Sequence, residues 1–79
     1  MPTVQVLYFA ALRERRGRSA EQVEVPAGTT LGALYATLFP PGPQGALPVA
    51  YARNQAYAAA DTPVEHGDEV CFIPPIGGG

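Results

Sequence analysis

Seventy-nine residues, 47% of them apolar, with a formal net charge of −2, describe one small domain around a single core. All five basic residues are Arg, seven acids outnumber them, Cys71 is the one cysteine, and no apolar run nears the ~20 residues of a membrane span. This excludes an internal disulfide, a cysteine zinc cage and a basic nucleic-acid footprint. The N-terminus lacks a signal peptide's basic start, so we expect a cytoplasmic protein with neither nucleic acid nor membrane as partner.

Residues 3–9 (TVQVLYF) are β-branched and aromatic and predict a first strand. Val4, Val6 and Tyr8 fall on one face; Gln5, Leu7 and Phe9 fall on the other, which is too apolar for a fully solvated surface. Residues 10–16 predict a short helical turn stopped by Gly17. Residues 22–25 read as a short strand, with Pro26, Gly28 and Thr29 as punctuation. Thr30 is a natural N-cap, and Leu31, Leu34, Tyr35 and Leu38 repeat at the spacing of one helix face. Gly32 inside that helix costs roughly 1 kcal/mol against Ala. The helix cannot pass Pro40.

Residues 47–53 predict a third strand, Asn54-Gln55 a tight turn, and residues 56–58 a short return strand. Gly67-Asp68 turns the chain into a last strand over residues 69–73, which Pro74-Pro75 ends. One main helix with four or five strands implies an α+β fold, a mixed sheet wrapped over that helix. The helical crossover demands one parallel pair, expected between the first and last strands at the sheet centre. This is the β-grasp architecture of ubiquitin. We expect the domain to span residues 1–75 and a flexible Gly-rich tail to span residues 76–79.

The tail is the most informative segment. Pro74 and Pro75 cannot extend a sheet and launch the chain away from it. Gly77, Gly78 and Gly79 then carry no side chains. From Ile76 to Gly79 such a thread reaches roughly 13–14 Å, ending in a carboxylate. A thread this thin suits delivery of that carboxylate into a narrow channel of another protein. Ordering each glycine costs about 1–2 kcal/mol, which docking of the globular body has to offset. Taken alone, a glycine-rich end is more often simply frayed.

The stretch VLYFAALRE, Thr30-Leu31-x-x-Leu34, Asn54-Gln55, and the run from Gly67-Asp68-Glu69-Val70 through Pro74-Pro75-Ile76-x-Gly78-Gly79 together resemble the MoaD/ThiS family of sulfur carriers, over nearly the whole chain. The LRE segment and the PPIGGG ending are most similar to the branch serving molybdopterin synthase. The resemblance implies a sulfur carrier subunit that is not catalytic on its own. An adenylating enzyme of the ubiquitin-activating type would use ATP on the Gly79 carboxylate, with no cofactor bound tightly. A sulfur donor protein would then complete a thiocarboxylate. The body would dock on a MoaE-like large subunit while Gly78 and Gly79 enter its active site, where sulfur passes to cyclic pyranopterin monophosphate. The free form would be monomeric and the functional form hetero-oligomeric. The sequence departs from the family's usual pattern at Gly77 and at Arg53, which stands where an apolar residue is usual.

Leu7, Phe9, Tyr57, Cys71 and Ile73 are expected to form an apolar docking face away from the helix, continued by Pro74, Pro75, Ile76 and Gly77. The bland alternative is that loops cover them. Arg13, Arg15, Arg16 and Arg18 read first as a solvated charge run, next as a contact for an acidic partner surface, and last as a nucleic-acid contact. Cys71 reads as a small packed hydrophobe and His66 as a turn residue, with no catalytic constellation between them. No metal site is expected. Three other functions compete: a carrier for thiazole synthesis, a ubiquitin-like tag joined to lysines of other proteins, and a plain interaction module whose tail is never activated.

Overall fold

The structure, a computed structural model, describes residues 1–43, 45 and 47–74. The expectations for Pro75, Ile76, Gly77, Gly78 and Gly79 lie outside the described residues. In chain order the elements are β1 (Thr3–Tyr8), α1 (Ala10–Arg16), β2 (Ala20–Glu24), α2 (Leu31–Leu38), β3 (Ala50–Arg53), β4 (Ala56–Ala58) and β5 (Glu69–Ile73). They build a five-stranded sheet in the order β2-β1-β5-β3-β4. The central pair β1 and β5 is parallel, with Leu7 opposite Cys71 and Tyr8 opposite Phe72. The other three pairings are antiparallel. This is the ubiquitin-like β-grasp, a mixed sheet over one main helix.

Alternation in the central strands fills the core. Val4, Val6, Tyr8, Val70 and Phe72 are buried beneath Leu31, Leu34 and Tyr35 of α2. Thr30 caps α2 by accepting the Ala33 N–H at 3.1 Å. Tyr35 is the aromatic hub, its ring 5.1 Å from that of Phe72 and 5.5 Å from that of Phe39. Its hydroxyl donates to the Leu47 carbonyl at 2.8 Å.

That bond helps explain why β3 starts at Ala50 rather than at residue 47. Pro48 has no N–H to give the sheet, and the Leu47 carbonyl is already used by Tyr35. β2 starts two residues earlier than the pattern suggested. Val25 leaves the strand but stays buried, its N–H bonded to the Pro2 carbonyl at 2.9 Å. Gly17 closes α1 in the left-handed region at φ 75°. Asn54 and Gln55 both take positive φ, 53° and 71°, the geometry of a primed two-residue hairpin turn.

Gly32 has a packing reason. Its N–H donates to the Ala60 carbonyl at 2.8 Å. A Cβ there would meet that oxygen at 3.2 Å and the Ala60 Cβ at 3.3 Å. Valine at this position would push the loop off the helix, so Gly32→Val is expected to cost about 1–3 kcal/mol, read as a lower melting temperature. An unchanged midpoint would mean that the loop yields freely.

Candidate functional site

The strand register turns scattered apolar residues into a continuous row. Ala20 lies opposite Leu7, Leu7 opposite Cys71, Cys71 opposite Ala52, and Ala52 opposite Tyr57. Directly paired residues point to the same face. The row therefore crosses all five strands on the face away from α2. Phe9 continues the alternation, because its backbone is still extended (φ −129°, ψ 151°). Ile73, opposite Ala50, extends the same surface along β5.

Exposure varies along this face. Tyr57 is 80% exposed and Phe9 48%. Leu7, Cys71 and Ile73 are half-buried, and Ala52 is buried. One row further along, Gln5 pairs with Glu69 and with Gln22, so the apolar surface gives way to polar groups. The apolar part is thus confined to the end of the sheet where β5 finishes.

At that end Pro48, Val49, Ala50, Ile73 and Pro74 line a shallow apolar cleft of about 350 Å³. Pro74, expected as a docking contact, is already buried within its own chain. It therefore serves as cleft wall rather than as an exposed anchor. Ile73 keeps one side open. Pro74, the last described residue, lines the cleft, so the apolar face reaches the end of the described chain.

Cys71 lies within the row, and burial, helped by the nearby Glu69 charge, pushes its thiol pKa up. A thiol held protonated is a poor nucleophile, which agrees with a packing role. His66 is occupied elsewhere: its Nδ1 accepts the Thr3 N–H at 3.1 Å. Among the described residues no three His, Cys, Asp or Glu side chains gather as they would around a metal ion. Nor is any described helix long and apolar enough to cross a membrane.

Two charged networks were not legible as such. Arg53, the departure noted in β3, sits opposite Val70 at the sheet's other end. There it donates to Asp68 through Nε and to Glu65 Oε2 through Nη2 at 3.0 Å. Asp68 is 6% exposed. It also accepts the Asn54 side-chain amide at 3.0 Å and the Glu65 N–H at 2.7 Å. The Asn54 carbonyl oxygen takes the Glu69 N–H at 2.9 Å. Burial alone would raise the Asp68 pKa; the Arg53 and Asn54 hydrogen bonds and the Glu65 N–H outweigh it and hold the carboxyl below its usual range.

The second network corrects the reading of Arg16 as solvated. Arg16 forms a salt bridge with Glu21 at 2.8 Å, and the Tyr8 hydroxyl donates to the same carboxylate at 3.1 Å. Burial and the Glu21 charge push Tyr8 up to about 12. Arg16 also lies over the Tyr8 ring, 5.8 Å from its centroid. It is a clamp joining α1, β1 and β2. Arg13, Arg15 and Arg18 remain exposed.

Comparison with known proteins places these features in context. The sequence profile of the ThiS family matches residues 6–79. A molybdopterin synthase sulfur carrier subunit of Mycobacterium tuberculosis is 41% identical, with 100% of both chains covered. A protein of the same name from Arabidopsis thaliana is 34% identical over 96% of this chain and 82% of its own. Among solved structures, small archaeal modifier protein 1 of H. volcanii superposes with a TM-score of 0.81 at 25% identity, covering 96% of this chain and 100% of that one.

Proposed function

The chain belongs to the ThiS family, and from that premise we propose that it is the sulfur carrier subunit of a molybdopterin synthase. The likeness to relatives bearing that name, end to end in one of them, carries the reading. The apolar row ending beside Pro74 supports it physically, because a body that delivers a tail needs a docking face contiguous with it.

In this reading the protein is not catalytic alone. A ubiquitin-activating-type enzyme joins the Gly79 carboxylate to AMP from ATP, releasing pyrophosphate. AMP is a good leaving group, and sulfur delivered at the sulfide level by a donor protein displaces it, releasing AMP and leaving a thiocarboxylate. The body docks on a large subunit of the MoaE kind through Leu7, Phe9, Tyr57 and Ile73. Pro75, Ile76, Gly77 and Gly78 lead the sulfur to cyclic pyranopterin monophosphate, where docking makes the transfer effectively intramolecular. This reading requires no cofactor bound tightly by the chain itself. The monomer would act in the cytoplasm as part of a hetero-oligomer.

Intact-mass measurement on protein from its host tests the reading. Replacement of one oxygen by sulfur at the terminus, together with co-purification of the large subunit, is the expected result. An unmodified terminus under every condition would refute it. The likeness to small archaeal modifier protein 1 favours a second reading, a tag joined to other proteins' lysines, for which branched peptides on those lysines would be the mark. A thiazole-synthesis carrier would show the same mass change but would not bind the large subunit.

Ile73→Arg separates docking from folding. The side chain is half-buried at the cleft, so an arginine can swing its charge into water. Binding to the large subunit is expected to fall at least about tenfold, with a loss of stability under about 1 kcal/mol. Comparable losses in titration and thermal melting would mean that Ile73 belongs to the core.

A further inference from the structure

The net charge of −2 conceals a strong polarity. Because β1 and β5 are parallel neighbours, α1 leaves the sheet at the same end as Pro74. Arg13, Arg15, Arg16 and Arg18 stand at that end, against Glu14 and Glu21. Four side-chain bases against two side-chain acids leave two positive side-chain charges there. At the opposite end are Glu24, Glu65, Asp68 and Glu69, with Asp61 in the loop beside the start of α2 and Arg53 alone, leaving four negative side-chain charges. The two ends together restore −2.

The basic end is not consumed by the fold. Arg16 is committed to Glu21, and Arg15 stacks over Phe39 with its guanidinium carbon 5.4 Å from the ring centroid. That stacking leaves the edge of its guanidinium available. Arg13, Arg15 and Arg18 are exposed, and among the described residues none forms a salt bridge. Each is arginine, whose planar fork matches a carboxylate with two parallel hydrogen bonds.

Resting on the carrier reading, we infer that Arg13, Arg15 and Arg18 form an electrostatic docking site for an acidic protein surface beside the channel that receives the tail. An acidic partner would repel this chain if it felt only the net charge. The polarity reverses that result: the chain turns its tail end toward the partner, and the acidic end points away. Such steering raises the rate of productive encounter more than the lifetime of the complex. The apolar row then supplies the lasting contact.

The test compares association kinetics of the full-length protein with its large synthase subunit at low and high salt. Variants R13Q/R15Q/R18Q and R13E/R15E/R18E leave Arg16 and the sheet face intact, and thermal melts confirm that they fold. The glutamate variant is expected to associate at least about tenfold more slowly at low salt, with little change in dissociation. The glutamine variant should fall between it and the wild type, whose rate should drop steeply with salt. A hexaglutamate peptide titrated into labelled wild-type protein should move the amide resonances of residues 13–19, and not those of the triple variants. Wild-type binding with rates indifferent to salt and to all three substitutions overturns the inference. Failure of the wild type to bind the large subunit overturns the carrier reading instead, while the peptide titration still reports on the patch.

Discussion

Removing Gly79 is expected to abolish sulfur transfer while leaving the melting temperature where it was. Among the described residues the buried apolar core runs from Val4 to Phe72. The deleted protein still ends in a carboxylate, that of Gly78, so the chemistry of activation is not lost in principle. What is lost is reach: one residue is about 3.3–3.6 Å of extended chain. A misplacement of about 1 Å at a reacting centre already costs on the order of a hundredfold in rate. A shortfall several times larger leaves sulfur outside bonding distance of its acceptor. Product formation by the reconstituted synthase and a thermal melt of the same sample check both halves. Transfer at wild-type rate, or a collapse of the melting temperature, would contradict the proposal.

Much of this architecture was legible because local chemistry and global fold agree. The alternation of Val4, Val6 and Tyr8 gave β1 its buried face, and the repeat from Leu31 to Leu38 gave α2. Thr30, Gly17 and Asn54 marked their turns through capping and positive φ, which depend only on the residue and its neighbours. The start of β3 was less legible. Its limit comes from Pro48 together with a hydroxyl bond from Tyr35, twelve residues away.

The site divides in the same way. Period-two alternation puts Leu7 and Phe9 on one face of their own strand. It cannot say that Tyr57 closes the same row from the far edge, because that depends on register in three separate pairings. Arg53 was hidden for a similar reason. Asp68 lies fifteen positions away, and the two meet only because β3 ends beside the start of β5. Arg16 and Glu21 are five apart, too distant for one helical turn, and the left-handed Gly17 brings them together.

Asp68→Ala is expected to be the most damaging single substitution outside the apolar core. The carboxylate sits at the hinge between the Gly67 turn and β5, and it accepts from Arg53, Asn54 and the Glu65 N–H. Arg53 can turn back to water, since it is partly exposed. The Asn54 amide and the Glu65 N–H lose the charged acceptor of two part-buried hydrogen bonds, and together they cost about 2–3 kcal/mol. In a domain this small, that lowers the melting temperature by roughly 8–20 °C. The pH dependence gives an independent check. The folded state holds the Asp68 carboxyl below its unfolded value of about 3.9, so its contribution is present above that pH and is lost as pH falls through the folded value. Glu21 is held low in the same sense: burial opposes its ionisation, but the Arg16 and Tyr8 hydrogen bonds prevail. Wild-type stability should therefore decline below about pH 4. Asp68→Asn, which keeps the shape and removes the titration, should show a shallower decline. Parallel acid profiles for the two proteins would mean that the corner is not held by this charge.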